Sequence, residues 1–383
     1  MRAQNKQVRQ LQKKQPSHHI EIGDHVIVIA LIVFWFLLML TNSSFRNFKT
    51  YSNIIKQGSM FAVCGIGMTY VMIAGEMDMS VASIIAMLSV IFTQLVNKIA
   101  PTNPTAGIWL TCTIILVIGT LCGTFNGLLV AKLHIPSFIA TLAMQNIYRG
   151  IAQLICKDPV PIANLGQQYL SFSTGANKAI TIGQITEDFS LMSIKGFSFT
   201  KILGLPLFFW LMVALAIAGT IILRKSALGR YILAIGNSKS AARISGINIP
   251  RTQISMFAVL GLFTGVTALM MTSNQGSSNY GVPTGTEFTV ISAVILGGTN
   301  PKGGKGSVFN TVIAAMFMAT IPTALTMFKI PNTAHGIFNG CVLVIAFSIN
   351  TIRTIIAEIS IKNKARKAAQ VAVSQAEQPN WAK

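Results

Sequence analysis

Charged residues are scarce in this sequence. Asp, Glu, Lys and Arg make up 10% of its 383 residues, and only 10 residues are acidic. Soluble domains carry about 25% charged residues, which they need to cover their surface. Hydrophobic residues make up 52%, and the mean hydropathy is +0.59. The composition argues against a soluble enzyme, a nucleic-acid-binding protein and a disordered chain, and it predicts the lipid bilayer as the protein's surroundings.

Motifs for catalysis and metal binding are also missing. The sequence has no HExxH, no GxxxxGK[ST] phosphate loop and no CxxC pair, and its five His are scattered. The five Cys lie in or beside apolar segments, which predicts reduced thiols. No acid lies at the centre of an apolar segment, where a proton relay would need one. We therefore expect no catalytic residue, metal or cofactor in this chain, and any energy for uphill transport has to come from another subunit.

Apolar segments are what the sequence has in abundance. Ten of them approach the roughly 20 residues that a membrane-spanning helix needs. They lie at about 25–41, 54–74, 81–97, 106–131, 137–156, 205–223, 254–271, 287–298, 307–327 and 336–352. The eighth is short and ends at Gly297 and Gly298, which indicates a half-helix or a re-entrant element. The predicted fold is all-α, a polytopic membrane protein with about ten transmembrane helices.

The distribution of basic residues predicts the orientation. With the N-terminus inside, 20 Lys and Arg fall on cytoplasmic segments and eight on the outer side, as the positive-inside rule requires. Both termini are then cytoplasmic. The predicted organisation is a basic tail at 1–24, a single transmembrane domain at 25–352 and a second basic tail at 353–383. The longest inner loop is 224–252, and the long outer loop is 157–204.

A short pattern of acid, any residue, hydroxyl, Val, any residue and Ser occurs twice. It begins at Asp78, with Ser80 as its hydroxyl residue, and again at Glu287. The two copies open spans three and eight from opposite sides, which predicts an inverted repeat of spans 2–5 and 7–10 with a translocation path between the halves. Helix capping explains both acids without any ligand, and this alternative stays open.

Several polar or aromatic residues fall within predicted spans. The candidates for a path that carries a neutral solute are Phe125, Asn126, Gln145 and Asn146. Arg149 shares a helix face with Gln145 and Asn146. The alternative is that these groups only hold helices together by hydrogen bonds. Glycines spaced four residues apart, at Gly119 to Gly127 and Gly261 to Gly265, predict close helix packing.

The inner loop contains a predicted docking helix. Asn237 or Ser238 can cap a helix that runs from Lys239 to Ile244, and Gly246 can end it. Ala241 and Ala242 give it a narrow face that can enter a groove on a partner. The alternative is a basic loop that lies on lipid headgroups. A second cytoplasmic segment is rich in glycine, which predicts a mobile turn with gating residues Gly297, Gly298, Gly303 and Gly304.

Several of these stretches form an ordered set between about residues 50 and 350. They are Gly75-Glu76-Met77-Asp78-Met79-Ser80-Val81-Ala82-Ser83, Phe125-Asn126-Gly127-Leu128-Leu129-Val130, Ile135-Pro136-Ser137-Phe138-Ile139-Ala140-Thr141-Leu142, Gly236-Asn237 with Ala241-Ala242-Arg243-x-Ser245-Gly246-Ile247, and Leu296-Gly297-Gly298-Thr299 with Gly303-Gly304-x-Gly306-Ser307-Val308. Each motif alone is weak. Together they resemble permease subunits of ATP-binding-cassette sugar importers of the ribose type.

The resemblance implies one subunit of a larger machine in the bacterial cytoplasmic (inner) membrane. A cytoplasmic ABC ATPase subunit would hold ATP and Mg, an extracytoplasmic sugar-binding protein would deliver the cargo, and a second permease copy or paralogue would complete the complex, with no nucleic acid involved. The ATPase would dock on the inner loop at Asn237, Lys239, Ala241, Ala242, Arg243 and Gly246. The expected function is import of a ribose-like monosaccharide by alternating access.

Other functions remain open at this point. Within the importer class, the rival cargoes are a nucleoside, a branched-chain amino acid and the signal autoinducer-2. A self-sufficient secondary carrier or channel is a second class of function. A membrane scaffold that transports nothing is a third.

Overall fold

The computed structural model describes residues 22–99, 104–162, 205–278, 280–281, 285–331 and 336–345, with short pieces at 193–194, 197–198, 201–202, 334, 348 and 359. Its helices are α1 (Ile22–Thr41), α2 (Phe48–Ile73), α3 (Val81–Ile99), α4 (Pro104–Lys132), α5 (Ser137–Ile155), α6 (Leu207–Lys225), α7 (Ala227–Asn237), α8 (Lys239–Ile244), α9 (Ile249–Gln275), α10 (Thr286–Leu296), α11 (Val308–Met327) and α12 (Gly336–Ile345). A 3₁₀ turn, Ser43–Arg46, joins α1 to α2. The predicted all-α class is confirmed.

Strands are only two residues long in the described part of the chain. They pair as antiparallel couples: β1 (Val160–Pro161) with β6 (Ser277–Ser278), β2 (Ser193–Ile194) with β3 (Phe197–Ser198), and β4 (Lys201–Ile202) with β5 (Leu205–Pro206). Five of the six strands, β1 to β5, lie in or next to the predicted outer loop 157–204. Most of that loop from residue 163 onward, and nearly all of the predicted tails 1–24 and 353–383, lie outside the described residues.

Each of the ten apolar segments corresponds to a helix, while α7 and α8 form the predicted inner loop. Among the described residues, five helices are long and apolar enough to cross a membrane: α3, the Ala106–Lys132 part of α4, α6, α9 and α11. The eighth segment is the short helix α10, which ends next to Gly297 as the sequence indicates. Its 11 residues span about 16 Å, which is too short to cross the roughly 30 Å hydrocarbon layer. The chain is a polytopic membrane protein.

Helices α2 and α9 lie at the centre of the bundle, and most of their residues are buried. They pack on each other, α4 packs on α9, and α11 packs on α2. The α4–α9 contact depends on glycine, because a Cβ on Gly123 or on Gly261 would lie 2.9 Å from backbone atoms of the other. Close packing of these glycines is confirmed. Helix α4 also contacts α3 and α5.

Candidate functional site

The predicted docking helix is present in the inner loop. Helix α8 covers Lys239–Ile244, Ser238 caps it by accepting a hydrogen bond from the Ala241 backbone N–H, 3.2 Å, and Gly246 follows it with φ of +78°. Ser238, and not Asn237, is therefore the cap. Ser226 caps α7 in the same way, through the Gly229 N–H. We call the segment 236–247 the hook.

The two sides of the hook differ in exposure. Ala242 is buried against the body of the protein, whereas Ala241, Arg243 and Gly246 are exposed. Ile244 is 88% exposed, although it is a large apolar residue. Beside the hook lies a groove of about 380 Å³, lined by Leu228, Tyr231, Gly246, Ile247, Asn248, Arg251, Thr252 and Ser255. The hook therefore presents an exposed apolar side chain next to a groove.

An ion pair ties the hook to the core. The Lys239 Nζ lies 2.7 Å from Glu76 Oε1, and the Gln253 amide donates to the same oxygen at 2.9 Å. The Lys239 side chain is 54% exposed and that of Glu76 is 8% exposed. Glu76 follows α2 and Gln253 lies on α9, so one carboxylate joins the hook to the two central helices. Sequence reasoning assigned no role to Glu76, because an acid beside a helix end gives no sign of its distant partners.

The glycine-rich segment 297–306 packs against the hook backbone. The Gly304 N–H donates to the Ile73 carbonyl oxygen at 2.8 Å. A Cβ on Gly236 would collide with that same oxygen, and one on Gly303 would lie 2.9 Å from the Gly236 Cα. Gly298, Gly303 and Gly304 all have positive φ. This junction joins the end of α2, the hook and the turn after α10, so the structure places the turn in close contact with its neighbours.

A buried polar cluster lies between α3, α4 and α5. Asp78 Oδ1 accepts hydrogen bonds from the Ser80 N–H and hydroxyl, both 2.7 Å, and Asn126 donates to Asp78 Oδ2 at 3.1 Å and to the Ser80 hydroxyl at 2.8 Å. The Tyr148 hydroxyl donates to Asn126 Oδ1 at 3.1 Å. Asn126 is 0% exposed. The cluster brings together Asp78, Ser80 and Asn126, which the sequence singled out. Their polar groups bond to one another, as expected of groups that hold helices together.

The other predicted path residues lie elsewhere. Gln145 donates to Glu287 Oε1 at 3.2 Å, and the Arg149 guanidinium donates to the Tyr280 carbonyl oxygen. Asn146 is exposed, and within the described part of the chain it bonds to its own helix, at the Leu142 carbonyl oxygen. Phe125 is also exposed. Among the residues that the structure describes, Gln145 is the one predicted path residue that reaches a polar group of the other half of the chain.

A large cavity adjoins Glu287. We call it the five-helix cavity, because α2, α9, α10, α11 and α12 contribute to its wall. Its volume is about 1150 Å³, and its lining includes Asn53, Lys56, Gln57, Asn274, Glu287, Phe288, Thr323, Thr326 and Asn339. Sequence reasoning singled out Glu287 but missed the rest of this site, since its polar residues lie near the ends of five separate segments.

The comparison with known proteins assigns the chain to a family. Residues 50–347 match the family described as "Branched-chain amino acid transport system / permease component". The chain belongs to this permease family. The resemblance inferred from the sequence motifs is confirmed, and the permease is a multi-pass protein of the bacterial inner membrane and one component of a transport system.

Full-length relatives are transport permeases. The permease is 31% identical over 337 residues to the ribose import permease protein RbsC of Haemophilus influenzae, with 87% of this chain and 96% of that protein covered. It is 28% identical to the xylose transport system permease protein XylH of the same organism, covering 88% and 98%, and 27% identical to RbsC of Escherichia coli K12, covering 84% and 92%. No solved structure matches the chain.

Proposed function

We propose that this permease is the membrane-spanning subunit of an ATP-driven importer that carries a monosaccharide of the ribose or xylose kind into the cytoplasm. The observation that carries the proposal is the likeness to ribose and xylose permeases over 96% and 98% of their length. The family match over residues 50–347 includes the hook and the junction. The cargo, rather than the family, is the proposed part.

The hook is the proposed contact with the motor. A cytoplasmic ATPase, which would bind ATP and Mg, would seat on Ile244 and the groove beside it. Movement of the hook would pass through the Glu76–Lys239 ion pair to α2 and α9. An extracytoplasmic binding protein would deliver the sugar, and a second permease, identical or paralogous, would complete the complex.

The helix contacts support the proposed inverted repeat. In the proposed repeat, α2 corresponds to α9, α3 to α10 and α4 to α11. The contact of α4 with α9 then has a counterpart in the contact of α11 with α2, and both are observed. The contact of α3 with α9 likewise corresponds to that of α10 with α2. The contact of α3 with α4 corresponds to that of α10 with α11. Two halves with matching contacts are suited to alternating access, in which one half rocks against the other. Ten spans, with both termini inside, remain part of the proposal.

The test is reconstitution with the partner ATPase and binding protein in proteoliposomes. We expect uptake of labelled D-ribose or D-xylose that requires ATP and the ATPase, and that excess leucine does not reduce. Uptake by the chain alone, driven by a solute gradient, would show a secondary carrier instead. ATP-driven uptake of leucine without sugar uptake would replace the cargo and keep the mechanism.

A further inference from the structure

Glu287, on the wall of the five-helix cavity, has one carboxylate oxygen without a hydrogen-bond partner among the described residues. Glu287 is 3% exposed and lines the cavity. Its Oε1 accepts the Gln145 amide, but its Oε2 is buried and has no hydrogen-bond partner among the residues that the structure describes. A buried acceptor without a partner is costly, so a ligand that donates a hydrogen bond to Oε2 would remove this cost.

The charges around Glu287 disfavour a cationic ligand. Arg149 is close enough to interact electrostatically with the carboxylate, so the negative charge of Glu287 is balanced within the protein. The Lys56 ammonium lies on the wall of the same cavity, where it would repel a cationic solute. A hydroxyl group can donate to Oε2 without adding charge.

The remaining wall matches a solute with many hydroxyl groups. Asn53, Gln57 and Asn274 can each donate and accept hydrogen bonds. Phe288 adds an aromatic side chain to the wall beside Glu287. Asn339 is held by a hydrogen bond to the Thr289 hydroxyl, 3.3 Å, which fixes α12 to α10 at the wall. At about 1150 Å³, the cavity exceeds the roughly 300–1,000 Å³ of common ligand pockets, so a monosaccharide and its water fit.

We infer that the five-helix cavity is a sugar-binding site on the import path, and that Glu287 Oε2 accepts a hydrogen bond from a sugar hydroxyl. The inference rests on the proposed sugar import and adds to it the residues that capture the sugar. Both halves of the chain form the site, since α2 belongs to one half and α9 to α12 belong to the other. Rocking of the halves would open and close it.

The experiment compares Glu287→Gln with the wild-type permease in the reconstituted complex, using D-ribose and D-xylose as probes. The measured quantity is the number of sugar molecules imported per ATP hydrolysed at saturating sugar-loaded binding protein. We expect Glu287→Gln to lower this ratio roughly tenfold, the size of effect that follows loss of a hydrogen bond to a charged group. The matched control is Asp158→Asn, an exposed acid outside the cavity, which keeps the wild-type ratio.

A second measurement leaves Glu287 intact. Thr326→Cys, in a Cys341→Ser background, places a thiol on the cavity wall. We expect D-ribose with its binding protein to slow the labelling of this thiol by a membrane-impermeant maleimide severalfold, and leucine to leave the rate unchanged. This arm decides the question if the Glu287→Gln permease does not assemble.

The outcomes separate the two proposals. Sugar import by the wild type with an unchanged ratio in Glu287→Gln, or with no protection of the thiol at position 326, overturns the cavity assignment and leaves the importer function standing. Absence of ATP-driven sugar import by the wild type overturns the proposed function itself.

Discussion

At the scale of single residues, Glu76 joins the hook to the core by side-chain contacts. It is buried, yet it binds a half-exposed lysine of the hook and an amide of α9. A half-exposed ion pair contributes only about 0–1 kcal/mol to stability. The ion pair instead serves to position the hook, because the same carboxylate contacts the hook and the central helix α9 and directly follows α2.

Lys239→Met tests this position. It removes one of the two side-chain donors to Glu76 Oε1 and leaves the buried carboxylate with Gln253 alone. We expect ATP-driven uptake in proteoliposomes to fall roughly tenfold, as for loss of a hydrogen bond to a charged group. Adding Glu76→Gln should recover part of the loss, because the amide does not need a cation. Lys132→Met, an exposed lysine outside the hook, is the control, and equal losses in both lysine variants would refute the role.

Asn126 and Asn146 provide a second comparison between residues. Asn126→Leu leaves Asp78 Oδ2 and the Tyr148 hydroxyl with fewer partners in a closed cluster, so we expect it to destabilise the permease by about 1–3 kcal/mol. Asn146 is exposed, and its one hydrogen bond to a described residue lies within its own helix, so Asn146→Leu should change the melting temperature in detergent very little. Similar melting temperatures for the two variants would contradict the structural role of Asn126.

At the scale of helices and turns, glycine sets how closely the hook approaches α2. Gly236 lies in α7 with no room for a Cβ, because the Ile73 carbonyl oxygen and the Gly304 backbone nitrogen occupy that space. Neither atom can move without displacing the backbone. The junction is therefore a contact between backbones, which an added methyl group would separate.

Gly236→Ala and Gly150→Ala make the same change in two helices. Nothing lies within 4 Å of a Cβ on Gly150, so its replacement should stabilise α5 by up to about 1 kcal/mol through helix propensity. Gly236→Ala should instead destabilise the permease by about 1–3 kcal/mol, the range for overpacking, and weaken co-purification of the ATPase. Thermal unfolding in detergent and pull-down measure the two effects. A Gly236→Ala variant as stable as Gly150→Ala would show that the junction does not depend on this glycine.

Local signals in the sequence identified elements well and contacts poorly. The hook was predictable because a serine cap, a short helix and a glycine stop are consecutive residues. The partners of Glu76 and Glu287 were not predictable, since they lie on other helices and depend on packing. Asn126 shows the limit clearly: an amide in an apolar helix was recognised as functional or structural, but only the fold showed that Asp78, Ser80 and Tyr148 surround it.

At the scale of the whole molecule, the two halves have matching helix contacts. Polar groups collect at both ends of the helix bundle. The hook and its junction lie at one end of the bundle, and the five-helix cavity collects residues from near the opposite ends of α2, α9 and α11. The polar cluster around Asp78 holds α3, α4 and α5 together. A motor bound at the first end would therefore act on access to the cavity at the second end through the helices that join them.

The most direct measurement is ATP-driven sugar uptake in proteoliposomes by the complex with Ile244→Glu. Ile244 is 88% exposed on the hook, so the change should leave the melting temperature unaltered while placing a charge in the proposed ATPase contact. Leu133→Glu, another exposed apolar residue, is the control. We predict a loss of uptake of about tenfold or more, the size expected for a central contact residue, in Ile244→Glu alone. Full uptake by the Ile244→Glu complex would contradict the proposal that the ATPase drives this permease through the hook.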